Sequence, residues 1–126
     1  DALTANPDIN VIFGINNDST TGGMAAYRAA GLDESDLVAV GFGFEGTVGR
    51  TALLQGISYR GALAMFPEFV GISIVDAAVA VAGGQTLPTR YETPTVMITP
   101  DNFAQYYRST GEDYELQIAA VRALED

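Results

Sequence analysis

The fold is decided by the stretch Asn6-Pro7-Asp8-Ile9-Asn10-Val11-Ile12-Phe13-Gly14-Ile15-Asn16-Asn17-Asp18. A residue that precedes proline is driven away from the helical conformation, so the helix that opens the chain is expected to end at Asn6. Residues 10–15 are a short apolar run, which favours a strand buried in a parallel sheet. The polar residues 16–18 then form a turn, and Thr20 or Thr21 is expected to cap a helix over residues 22–30. The stretch therefore predicts a strand, a turn and a helix in succession.

The same alternation continues along the chain. Residues 37–41 and the shorter run 62–65 are predicted strands, and residues 47–55 and 67–81 are predicted helices. Residues 91–98 form a last extended stretch, and Asp101 is expected to cap a short helix that reaches residue 107. Strands separated by helices of this length predict an α/β fold with a three-layer parallel sheet. We assign residues 1–107 to this lobe and residues 108–126 to a helical tail.

Composition excludes several classes of function. The chain has 126 residues, a net charge of −10 and six lysines plus arginines, so it lacks the cationic surface that nucleic acids require. It has no histidine and no cysteine, which removes the usual activated nucleophiles and the soft metal ligands. We therefore predict a protein that is not an enzyme, with no catalytic residue, cofactor or metal. The first residues have the character of a helix already under way, and we expect a fragment or a processed product.

Several segments resemble one family. Residues 6–18 resemble the "NPD-x-x-x-I-x-x-x-ND" segment of ribose- and galactose-type solute-binding proteins. Four later segments resemble the rest of the same lobe: residues 25–31, 38–42, 64–68 and 95–102. The resemblance is to the C-terminal portion of a type I periplasmic solute-binding protein. It implies the substrate-binding component of an ABC-type importer, with a sugar or sugar-like solute as ligand and a membrane permease as partner. The location implied is periplasmic or otherwise extracytoplasmic.

The resemblance also implies a division into two lobes. The chain would cross the hinge near Met65, and the helix over residues 67–83 would pack with the other lobe. That lobe would come from a missing N-terminal portion or from a second chain. Without it, the helix is expected to expose an apolar face.

Ligands of open parallel sheets lie beyond the carboxyl ends of the strands, which directs attention to residues 16–18, 41–47 and 65–67. By resemblance, Asn17 matches an asparagine that hydrogen-bonds sugar hydroxyls, although it could equally form a local turn. Phe42 or Phe44 could place a ring against a sugar's C–H surface, although either could equally be a core residue at a strand end, and we expect one of the two in the site. Met65 stands where the family commonly has Gln or Asn, so it favours a less hydroxylated ligand.

One position departs from the family pattern. These proteins usually carry an aspartate after Gly-Phe, where the carboxylate accepts two sugar hydroxyls, but this chain continues Gly43-Phe44-Glu45. Aligned from the preceding strand, Gly43 takes the place of the acid. Aligned backward from Met65, Glu45 takes it, after an insertion of two residues. Glu45 is the candidate we favour, although a carboxylate near the start of a helix is stabilised by the helix dipole in any case.

Two other functions remain open at this point. The same fold serves as the effector domain of lactose-repressor-type regulators, which are cytoplasmic. In addition, Gly41, Gly43 and Gly46 spell GxGxxG between a strand and a helix, with Glu68 at about the spacing of a ribose-binding acid. This is the context of a dinucleotide-binding turn, but Glu45 would set a carboxylate beside the pyrophosphate.

Overall fold

The computed structural model describes residues 2–125. The helices are α1 (Ala2–Ala5), α2 (Asn17–Ala29), α3 (Thr47–Gln55), α4 (Pro67–Ala82), α5 (Phe103–Tyr106) and α6 (Ile118–Arg122). The strands are β1 (Val11–Phe13), β2 (Val38–Gly43), β3 (Tyr59–Ala64), β4 (Val96–Ile98), β5 (Tyr107–Ser109) and β6 (Tyr114–Leu116). The predicted α/β class is confirmed.

The main sheet has the strand order β1-β2-β3-β4. The first three strands are parallel, as predicted, whereas β4 runs antiparallel to β3, with Ala64 opposite Val96 and Ala62 opposite Ile98. The prediction of a wholly parallel sheet is therefore wrong for β4. Strand β4 begins beside the end of β3. Residues 65–95 therefore leave the sheet at the carboxyl end of β3 and return to it at the same end.

The two faces of the sheet differ. Helices α2 and α3 cover one face, where a Cβ at Gly23 would already press on the Ile12 side chain. The opposite face of β1 is open, and Val11 and Phe13 are 62% and 68% exposed. The prediction of a fully buried first strand is wrong within residues 2–125, because no described element packs on that face.

Helix α2 begins five residues earlier than predicted. The side chain of Asn16 accepts a hydrogen bond from the Ser19 amide at 2.8 Å, so Asn16 is the N-cap. Thr20 and Thr21, predicted as caps, lie inside the helix, and their hydroxyls donate to the carbonyls of Asn16 and Asn17. The helix ends as expected before Gly31, whose φ is 74°.

The predicted helical tail is largely wrong. Strands β5 and β6 pair as an antiparallel hairpin, and a helix forms over Ile118–Arg122 alone within the described tail. The hairpin is favoured because Tyr107 and Leu116 are buried in the aromatic core, which outweighs the helical propensity of the segment. Asp101 does not cap α5. Asn102 occupies that position, and its side chain accepts from the Thr99 amide at 2.8 Å.

Helix α4 has the predicted start and an open apolar surface. Pro67 is its first residue, and Phe69 is its one buried side chain. The exposed apolar side chains of this helix include Ile74, Val75, Val79 and Val81. Within residues 2–125, no helix combines the length and the apolar character needed to cross a membrane.

Candidate functional site

Three connections meet at the carboxyl edge of the parallel strands: the turn from β1 to α2, the loop from β2 to α3 and the junction from β3 to α4. A depression of about 360 Å³ opens between the last two, lined by Gly43, Glu45, Met65, Pro67 and Val70. Two of the predicted site residues, Glu45 and Met65, therefore border one concavity. It lies where ligands of open parallel sheets bind.

The loop after β2 has an unusual backbone. Gly43, Phe44 and Gly46 all have positive φ values, of 88°, 56° and 74°. This conformation is strained for a residue with a side chain, and Phe44 adopts it while its ring is fully buried. The Phe44 ring packs edge-on against Tyr107 at a centroid distance of 5.6 Å, so burial of this ring anchors the loop.

The two predicted phenylalanines thus separate. Phe44 belongs to the core and its ring is out of reach of a ligand in this conformation. Phe42 is half-buried and pairs with Leu63 in the sheet, on the face away from α2 and α3. A ligand contact by Phe42 stays a prediction.

The side chain of Glu45 folds back over Gly43. A Cβ built at Gly43 would collide with the Glu45 carboxylate at Oε2, so this carboxylate fills the space that a side chain at position 43 would take. The two candidate positions for the acid are therefore adjacent in space, because the Glu45 carboxylate lies against Gly43. The equivalence of Glu45 to the family's aspartate stays a prediction.

Asn17 is buried and holds the Glu45 loop. Its side-chain amide donates to the Glu45 carbonyl, its backbone N–H lies 3.4 Å from Glu45 Oε1, and its Oδ1 accepts from the Tyr59 hydroxyl at 2.9 Å. With 3% of its surface exposed, Asn17 braces the carboxylate rather than facing solvent. The preceding residue, Asn16, is the exposed amide of this turn.

Tyr59 and two glycines complete this brace, a role that the sequence analysis assigned to none of the three. A Cβ at Gly41 would collide with the Tyr59 hydroxyl, and one at Gly49 would collide with the Asn17 amide. Burial raises the pKa of Tyr59 to about 12, and the nearby negative charge of Glu45 adds to this effect. A glycine inside a predicted helix was the available signal, because it indicates close approach of another group.

The opposite side of the depression is apolar. Met65 is 43% exposed, and its backbone N–H donates to the Gly43 carbonyl at 3.2 Å. The next residue, Phe66, is fully buried in a left-handed conformation with φ of 49°. The chain thus makes a sharp, core-anchored bend as it leaves the sheet for α4.

A buried arginine joins α3 to α4 and to the hairpin. Arg50 is 3% exposed and donates to Glu68 at 2.7 Å and to the Tyr114 carbonyl at 3.2 Å. Its guanidinium lies 4.3 Å from the centre of the Tyr107 ring. Sequence reasoning missed this residue, since a lone arginine in a helix carries no pattern.

The same contacts bear on the dinucleotide hypothesis. Glu68, its candidate ribose-binding acid, forms an ion pair with Arg50. The Glu45 carboxylate covers Gly43, where the backbone would have to approach a pyrophosphate. Both contacts count against a dinucleotide at this loop.

The fold and its carboxyl edge define a class. Three parallel strands with helices, an excursion from one sheet edge and an antiparallel return strand form a lobe like that of the type I periplasmic binding proteins. The resemblance deduced from the sequence is confirmed at this level: the relatives are ribose import binding proteins, and the solved structures of similar fold include an ABC-transporter periplasmic solute-binding protein.

The relatives can be named. The chain is 29% identical over 89 residues to the ribose import binding protein of Escherichia coli strain K12, a match that covers 71% of this chain and 29% of that protein. The chain therefore spans under a third of the length of this relative. No protein-family model matches the chain.

Solved structures support the same class. A periplasmic ABC-transporter solute-binding protein from Actinobacillus succinogenes, with bound D-allose, superposes with a TM-score of 0.75 at 24% identity, over 83% of this chain and 36% of that one. A Mycobacterium smegmatis protein in complex with β-D-fucofuranose gives a TM-score of 0.69 at 30% identity, over 79% of this chain and 32% of that one.

Proposed function

We propose that this chain is the C-terminal ligand-binding portion of an ABC-importer solute-binding protein that captures a sugar or a related polar solute between two lobes. The proposal includes a periplasmic or extracytoplasmic location and delivery of the solute to a membrane permease. It includes no catalytic step, no metal and no cofactor. Two of the proteins named above support it, because one is a ribose import binding protein and the other is an ABC-transporter solute-binding protein.

The position of the Glu45 carboxylate carries the proposal. It lies at the carboxyl end of the strands and borders an open depression. The Asn17 side chain holds the backbone of this residue by donating to the Glu45 carbonyl. A carboxylate has two acceptor oxygens and can take hydrogen bonds from two neighbouring hydroxyls of a polyol. The backbone N–H of Asn17 donates to Oε1, which uses part of this capacity and leaves Oε2 for a ligand.

The other lobe is part of the proposal. The excursion over residues 65–95 leaves and re-enters the sheet at the ligand-binding edge, as a hinge crossing would. Helix α4, which lies in this excursion, exposes Val75 and Val79 at 61% and 67%. We propose that a second lobe covers this apolar surface and closes over the ligand.

Calorimetric titration of the full polypeptide that the gene encodes tests this function. The titrants are D-ribose, D-allose, D-fucose and D-galactose, with NAD as the control ligand. We expect one-to-one binding of at least one sugar and no heat from NAD. Binding of NAD without any sugar would overturn the proposal and revive the dinucleotide hypothesis. A gene start that encodes a helix-turn-helix would replace the importer with a regulator.

A further inference from the structure

The depression has a polar side and an apolar side, and the contrast bears on the kind of sugar it suits. Glu45 supplies a hydrogen-bonding carboxylate on one side, from the loop that follows β2. Met65, Pro67 and Val70 line the other side, at the junction of β3 and α4. A sugar that lies across the depression thus meets two different walls.

The apolar wall offers very few hydrogen-bond donors. Pro67 has no N–H, the Met65 N–H donates to Gly43 at 3.2 Å, and the Val70 N–H donates to the Phe66 carbonyl at 3.0 Å. The Met65 thioether is a weak acceptor and cannot donate. A hydroxyl placed here would lose its water without gaining a partner, which is unfavourable.

We propose that this wall selects a sugar that lacks a hydroxyl on one side, such as a deoxysugar with a terminal methyl group. The inference rests on the proposed function, since it concerns the ligand of the same site. The ring hydroxyls on the polar side bond to the Glu45 carboxylate. The methyl group lies against Met65 and Pro67, where burial of apolar surface stabilises the complex.

Matched sugars that differ by one hydroxyl test the inference. We would measure dissociation constants of the full gene product for D-fucose against D-galactose and for 6-deoxy-D-glucose against D-glucose. In a pair that binds, we expect the deoxysugar to bind about tenfold more tightly, the scale of one unsatisfied buried hydroxyl. The variant Met65→Gln restores a donor and an acceptor, and it should remove or reverse this preference. Met65→Leu is the matched control and should keep it.

The outcomes separate the two proposals. Deoxysugar preference that Met65→Gln removes and Met65→Leu keeps would support the inference. Equal or tighter binding of the fully hydroxylated partner would overturn it and leave the sugar-binding function intact. Absence of binding in both pairs would overturn the inference, and if D-allose also failed to bind, the proposed function would fail with it.

Discussion

The two sides of the candidate site are built by different physical means. On the side of β1 and β2, polar groups are held by hydrogen bonds, with Asn17 at the centre between Glu45 and Tyr59. On the side of β3 and α4, the chain is held by burial of Phe66 and presents Met65 to the depression. Substitution of a buried hydrogen-bonded residue leaves its partner unsatisfied and destabilises the fold. Substitution of one side chain in an apolar wall can instead change which ligand is bound. The comparison therefore predicts where substitutions alter stability and where they alter ligand choice.

The largest effect is expected on ligand affinity at the polar side. Glu45→Gln keeps the size of the side chain and removes its charge, so two charge-assisted hydrogen bonds become weaker neutral ones. We expect the dissociation constant for the best sugar to rise by about 100-fold, or ~3 kcal/mol. Calorimetry on the full gene product measures it. Glu112→Gln, at an exposed position of the hairpin, is the control and should change nothing.

The second-largest effect is expected on folding stability, when the buried Arg50 is replaced. Arg50→Leu removes the ion pair with Glu68, the bond to the Tyr114 carbonyl and the contact with the Tyr107 ring. Glu68 is partly exposed, which reduces the cost, and we expect a loss of about 2–3 kcal/mol in the free energy of unfolding. Urea denaturation measures it. Arg108→Leu breaks an exposed pair with Glu115 and should cost under about 1 kcal/mol. Equal losses for the two variants would contradict the assigned role of Arg50.

Two neighbouring asparagines on the polar side differ in burial and should differ in their effect on stability. Asn17→Ala deletes the two hydrogen bonds of a buried side-chain amide and leaves the Tyr59 hydroxyl without its acceptor, so we expect a loss of about 2 kcal/mol in the free energy of unfolding. Asn16→Ala removes a helix cap at an exposed position, for about 1 kcal/mol. A larger loss at Asn16 than at Asn17 in urea denaturation would show that the brace is weaker than its geometry indicates.

The smallest expected effect is a decrease in the free energy of unfolding at alkaline pH. Burial raises the pKa of Tyr59 and of Tyr107 to about 12, from an unfolded value near 10. Both side chains favour the neutral form in the folded state. Their contribution to the free energy of unfolding is therefore complete below about pH 10 and declines as the pH rises toward about 12.

Urea denaturation from about pH 8 to about pH 11 measures this decline. Tyr107→Phe should flatten it, because one of the two groups no longer ionises. The exposed Tyr91 supplies the control variant Tyr91→Phe, which should leave the slope unchanged. An unchanged slope in Tyr107→Phe would contradict the assignment of the effect to this buried hydroxyl.

The sequence allowed the architecture to be predicted because its signals are local. The break at Pro7, the apolar run of β1 and the start of α4 at Pro67 each follow from the conformational preferences of a few residues. Local preference fails where a distant partner decides. The hairpin β5–β6 forms because its tyrosines complete an aromatic core that lies far away in the sequence.

The site shows the same limit. Glu45 and Met65 could be found from resemblance and from their place after the strands, and the structure sets both at one depression. That the Glu45 carboxylate folds back over Gly43 could not be predicted from the sequence, because it depends on a loop with three positive φ values. The brace by Asn17 and Tyr59 spans 42 residues, which no local pattern reveals.

A crystal structure of the full gene product with a bound sugar would show whether Glu45 binds the ligand. We predict two ring hydroxyls within hydrogen-bond distance of the Glu45 carboxylate, with Asn17 still bonded to the Glu45 carbonyl and a carbon without a hydroxyl facing Met65. A sugar bound at another edge of the lobe, with the Glu45 carboxylate in contact with protein and water alone, would contradict the account.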